Sequence, residues 1–143
     1  MKPNYYLTAS SFFYVAPSYV CYTLGHPYLS TIYAAVVVSS SSYHATKSPI
    51  LLAIDIPLAH LAHGITLSRI LKGGYNSMIP YSIWLLYTIT IYYYGYMNQT
   101  FIWNPNVDQA TPWHASMHAF TSLCTCITMM AAYPKKNPFE LLL

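Results

Sequence analysis

Long apolar stretches, separated by short polar or glycine–proline breaks, run the length of the chain. Five of them approach the roughly 20 residues that a helix needs to cross a bilayer, at about 5–24, 29–46, 49–70, 77–97 and 113–133. The breaks are Gly25-His26-Pro27, Lys47-Ser48-Pro49, Lys72-Gly73-Gly74 and the longer polar stretch from Asn98 to Pro112. Glycine and proline end and restart helices, so these positions read as connections. The pattern predicts an all-α fold, a polytopic transmembrane bundle of about five helices forming one domain over residues 1–143. Lys2 followed by an apolar stretch also suits a cleaved leader. Pro17, the tyrosines and the want of a small-residue cleavage site favour a retained first helix.

Composition sharpens this reading. Only 6% of the residues are charged while 55% are hydrophobic, whereas about a quarter of a soluble domain is charged. Such a chain has little with which to cover a water-facing surface, so lipid is the expected solvent. Tyrosine is used 16 times, often near segment ends, where an amphipathic ring suits the membrane interface. The six basic residues are scattered, which argues against nucleic acid as a partner. Lys2 and Lys47 fall on the N-terminal side and Arg69, Lys72, Lys135 and Lys136 on the other. The positive-inside rule then places the C-terminus in the cytosol and the N-terminus outside it. Cys21, Cys124 and Cys126 read as small buried hydrophobes. The Ser39–Ser42 run reads as small-residue helix packing.

The polar residues inside these segments carry the chemistry. In an up-and-down path, segment 2 ends and segments 3 and 5 begin on the same membrane face. His44 lies in the last turn of segment 2, Asp55 about 9 Å into segment 3, and His114 and His118 in the first turns of segment 5. All four therefore fall within roughly 10 Å of one face. Ionisable groups at membrane depth are costly and mark function by default. His114 and His118 are spaced i, i+4, so both imidazoles leave one helix face and can share a metal ion. Ser40 precedes His44 by the same spacing. Three histidines leave a fourth tetrahedral position open, the arrangement of catalytic zinc, with Asp55 placed to handle the proton of a water and Ser40 to assist by hydrogen bonding. His60 and His63 lie about 8 and 12 Å beyond Asp55. They suit interhelical hydrogen bonding, with haem ligation as the alternative. His26, in the opposite loop, reads as an ordinary exposed residue.

Ser40-x-x-x-His44, Asp55 and His114-x-x-x-His118 resemble, in order and depth, the signature of a membrane hydrolase superfamily that includes the alkaline ceramidases and the adiponectin and progestin receptors. His44-Ala45-Thr46 and Asp55-Ile56-Pro57 are the most ceramidase-like stretches. The resemblance implies zinc on His44, His114 and His118, an aspartate that activates water at Asp55, and a serine beside the metal at Ser40. That family has seven helices, so the present chain would be a shortened form. Met117 replaces a common aromatic, and the acidic N-terminal calcium site has no counterpart here.

The expected function is therefore zinc-dependent hydrolysis of an amide (ceramide-like) or ester bond in a membrane lipid, by a protein that can also pair with itself or with other subunits. The alternative is a non-catalytic structural or receptor-like membrane subunit that keeps the metal for folding.

Overall fold

Helix formation begins at Asn4, whose side-chain oxygen accepts a hydrogen bond from Leu7 N at 3.1 Å while its backbone is extended, as an N-cap requires. The computed structural model describes residues 3–133 with the exception of Gly74. Among the described residues every regular element is helical. In order these are α1 (Tyr5–Ser11), a 3-10 turn (Phe12–Tyr14), α2 (Val15–Thr23), α3 (Pro27–Thr46) and α4 (Pro49–Gly73). There follow α5 (Tyr75–Thr88), a π-helical stretch (Ile89–Tyr94), α6 (Gly95–Asn98), a 3-10 turn (Phe101–Trp103) and α7 (Val107–Ala132). Since α1 runs through its turn into α2, and α5 through the π stretch into α6, the chain makes five helical rods.

The rods follow the order the apolar pattern predicts, but their ends do not all fall where expected. The last helix starts at Val107, within the stretch expected to be a polar connection. Asn106 explains the shift: its side chain accepts from Asp108 N at 3.0 Å, and Asp108 sits in the first turn, where a carboxylate complements the helix dipole. Pro112 is thereby carried inside the helix instead of preceding it. The positive φ of Lys47 (56°) ends α3 in a left-handed cap, a costly conformation for a residue with a Cβ.

Both α4 (Pro49–Lys72) and α7 are long and apolar enough to cross a membrane. Helix α3 is 20 residues long, but its serine run and His44 dilute its hydropathy. Lys2, Lys135 and Lys136, on which the expected orientation rests, and Glu140 lie outside the described residues.

Helix α3 packs against α1, α2 and α4, and α7 packs against α1, α2, α4 and α5. Tyr33 of α3 is fully buried and shares a 2.9 Å hydrogen bond with Thr66 of α4, so its hydroxyl is satisfied where water is excluded. On the other side, Trp84 donates to Thr121 at 3.0 Å and the Tyr87 hydroxyl meets Ser116 at 2.7 Å, holding α5 to α7. Cys21, Cys124 and Cys126 are buried and free. His26 is half-buried, not exposed as its loop position suggests, with its ring 4.3 Å from that of Tyr133.

Gly95 is where the π stretch meets the following turn. An added Cβ would lie 3.0 Å from the Thr100 carbonyl oxygen and 3.2 Å from the Phe101 ring. Gly95→Ala is expected to cost about 1–3 kcal/mol by overpacking, read as a lower midpoint in thermal unfolding of the purified protein. An unchanged midpoint would show that this turn yields freely.

Candidate metal centre

Two helices converge on one spot. His44 comes from the last turn of α3, and His114 and His118 from successive turns of α7. Their ring centroids are 4.9 Å (His44–His114), 5.5 Å (His44–His118) and 4.9 Å (His114–His118) apart. One nitrogen from each lies within 4.8 Å of the other two, and His44 and His118 are buried. Nitrogens of a tetrahedral zinc site sit about 3.3 Å apart given bonds of about 2.0–2.1 Å, a closure that small ring rotations supply. The donor set therefore fits a metal ion. Imidazole nitrogens serve zinc, copper, iron and nickel alike, so the ligands by themselves leave the element open.

Helix α1 contributes what the sequence pattern does not reveal. Ser10, also buried, sends its proton to the Leu7 carbonyl at 3.0 Å, and its oxygen lies 2.9 Å from His118 Nδ1. With the hydroxyl proton so engaged, the serine oxygen accepts from Nδ1–H, which leaves Nε2 of His118 as the free metal-binding lone pair. Nearby, the Asn4 backbone N–H donates to the His44 carbonyl at 3.0 Å, and the Asn4 side chain donates to Thr111 Oγ1 at 2.8 Å. Ser11 meets Ser40 at 3.1 Å, and Ser122 donates to the Phe13 carbonyl at 2.6 Å. The first rod thus bonds to both histidine-bearing helices.

Asp55 stands apart from the three ligating nitrogens but lines the same cavity of about 330 Å³, together with Ser40, His114 and His118. Ser39 donates to Asp55 Oδ1 at 2.8 Å, and Ser40 lines the cavity beside the carboxylate. The i, i+4 relation puts Ser40 beside His44 and leaves Ser39 to packing. In the fold Ser39 turns towards α4, so it holds the acid directly and is no mere packing residue. Ser40 is 2% exposed and bonded to Ser11. His60 and His63 line the cavity too.

Lys47 is the second unforeseen neighbour. Its ammonium reaches to 3.3 Å from His44 Nδ1 and lies 5.0 Å from the centre of the Tyr43 ring. Burial lowers its pKa from the usual lysine value, so its charge is held less firmly than on a surface lysine. Donating to Nδ1, the ammonium leaves the His44 proton on Nε2. For either nitrogen to bind a cation through its lone pair, Lys47 has to withdraw.

No protein-family model matches this chain, and neither a curated protein nor a solved structure matches it.

Two variants probe these contacts through metal affinity alone, measured by competition with a chromophoric chelator. Ser10→Ala is expected to weaken binding by about 10–100-fold, the usual effect of removing a partner that orients a ligand. Lys47→Gln is expected to tighten it by about three- to tenfold, since it removes a positive charge that opposes the cation. Unchanged affinity in both would mean that neither neighbour tunes the site.

Proposed function

We propose that the chain is a multi-pass membrane protein whose three histidines hold zinc and hydrolyse an amide or ester bond in a lipid. The observation that carries this reading is the meeting of His44, His114 and His118, two of which line a cavity that also holds a carboxylate bonded by Ser39. The membrane part rests on the outer surface. Along α4, Ile50, Leu61 and Leu71 are 72%, 50% and 64% exposed, an apolar belt that a monomer in water would not sustain. In this reading all five rods cross the bilayer, with Lys47 at the non-cytosolic face and Arg69 and Lys72 towards the cytosol.

Zinc bound there would polarise the scissile carbonyl and make a water acidic enough to lose its proton near neutral pH. Asp55 then acts through the carboxylate oxygen that Ser39 does not engage. It accepts the water proton as the water oxygen bonds to the carbonyl carbon, then passes that proton to the departing nitrogen or oxygen as the carbon–heteroatom bond breaks. Ser39 fixes the rotamer of the carboxylate. Its hydrogen bond leaves Asp55 a proton carrier beside the site instead of a fourth ligand. The mostly apolar cavity wall keeps bulk water out, which strengthens every charge interaction inside. Ceramide-like amides are the first candidates, because the residues around His44 and Asp55 are those that resemble the ceramidases.

Purified protein in lipid nanodiscs tests the reading. Wild type loaded with zinc is expected to hydrolyse ceramide or an acyl ester. Asp55→Asn is expected to keep the metal and lose about 10²–10⁴ in kcat. His118→Ala is expected to lose the metal. Zinc-loaded wild type that turns over neither lipid class would overturn the hydrolase reading in favour of a structural metal. Equal rates in wild type and Asp55→Asn would remove the acid from the chemistry.

A further inference from the structure

Beyond the histidine cluster the cavity continues between α4 and α5, where most of its wall is apolar. Polar side chains interrupt that wall, among them two that make no hydrogen bond within the described residues. The first is Thr88, at the end of α5, whose hydroxyl is buried and unbonded. Threonines elsewhere in these helices return their hydroxyl to their own backbone: Thr31 to Pro27, Thr46 to Ser42, Thr66 to Ala62 and Thr90 to Leu86, all at 2.8–3.0 Å. A buried hydroxyl with no acceptor costs about 1–3 kcal/mol; Thr128 of α7 is in the same condition, but Thr88 is the one that lines this cavity. The second is His63. Its ring is stacked on Trp84, with centroids 4.6 Å apart and planes at 28°, and stands edge-on to Tyr33. Trp84 is itself fixed by its bond to Thr121. His63 is therefore held by its ring face while neither nitrogen is hydrogen-bonded within the described fold. His60 differs, since its Nδ1 is bound to the Ile56 carbonyl at 2.7 Å.

Both groups line the cavity, from adjacent rods. His63 lies about 12 Å deeper along α4 than Asp55, at 1.5 Å per residue. Trp84, on which it stacks, is one helical turn before Thr88. The π-helical stretch starts immediately after Thr88 and contributes Ile89, Tyr92 and Tyr93 to the same cavity. Such a stretch often marks a functional site, because the extra residue re-aims the side chains around it.

We propose that His63 and Thr88 form a second polar subsite, which receives a hydroxyl group carried within the hydrocarbon chain of the lipid that occupies the cavity. A hydroxyl is both donor and acceptor, as are neutral imidazole and threonine, so the pair can satisfy it on both counts. A plain methylene chain fills the same space but leaves both protein groups unpaired. The subsite thus selects hydroxylated over unsubstituted chains of equal length. The proposal takes from the preceding reading that a lipid occupies the cavity, and needs nothing from the hydrolysis.

The test is a binding measurement, independent of turnover. Purified full-length protein is titrated with 12-hydroxyoctadecanoic acid and with octadecanoic acid, each displacing a fluorescent fatty acid. Wild type is expected to prefer the hydroxylated chain by about tenfold, the effect of one net hydrogen bond. Thr88→Val, which keeps the shape, and His63→Phe, which keeps the stack on Trp84, are each expected to reduce the preference to about threefold or less. Their affinity for octadecanoic acid should stay at the wild-type value, which also reports that they fold. Thr88→Ser should restore the preference. Equal affinity of wild type for the two acids overturns the proposal, as does a preference that survives in Thr88→Val. So does failure of either acid to displace the probe. Loss of hydrolysis alone bears on the zinc reading and leaves this selectivity to be judged by binding.

Discussion

Nothing in the sequences of α3 and α7 makes those two helices meet at their histidines; the first rod does that. It donates a backbone N–H to the His44 carbonyl and a side-chain amide N–H to Thr111, and its Ser10 oxygen accepts from His118 Nδ1. The bond to His118 is buried, and breaking it would leave a buried polar group unpaired, at a cost larger than the bond itself. The distance between His44 and His118 is thereby set through a third element, not by direct contact between their two helices. Ser10 adds a chemical consequence to the mechanical one. It fixes which nitrogen of His118 carries the proton and so which nitrogen is offered to a cation.

Two layers of serine surround the site and have different tasks. Ser10 and Ser11, on the first rod, address His118 and Ser40. Ser39, on α3, addresses the carboxylate of α4, with Ser40 beside it. An isolated carboxylate would be expensive in this setting. Bonded by Ser39 it is accommodated and oriented, one oxygen towards that hydroxyl and the rest of its hydrogen-bonding capacity towards the cavity. Lys47 acts in the opposite sense, since its ammonium reaches His44 Nδ1 and competes there with a cation. The centre therefore combines groups that favour a bound metal with one that competes with it.

Much of this was legible in the chain. Helix order, the common depth of His44, Asp55, His114 and His118, and the shared face of the i, i+4 pair all follow from helical geometry and an alternating path. What stayed hidden depends on tertiary approach. Ser10 belongs to a short polar stretch with no periodic signature, and its role appears only once α1 lies against α7. Helical spacing relates Ser40, not Ser39, to His44, so the sequence pattern leaves Ser39 to packing. The direction from which α4 arrives decides the matter instead. The start of α7 was misplaced because Pro112 is the stronger local punctuation, whereas the capping side chain of Asn106 acts six residues earlier. The proposal of polytopic membrane insertion rests on composition and on the outward apolar belt; of the described helices α4 and α7 are long and apolar enough to cross a membrane.

X-ray absorption at the zinc edge of the metal-loaded protein tests the central claim most directly. The account predicts one zinc per chain in a shell of nitrogen and oxygen at about 2.0–2.1 Å, with the outer-shell scattering of three imidazoles. A sulfur shell at about 2.3 Å, which would place the ion on the cysteines, or a protein that retains no zinc, would contradict it.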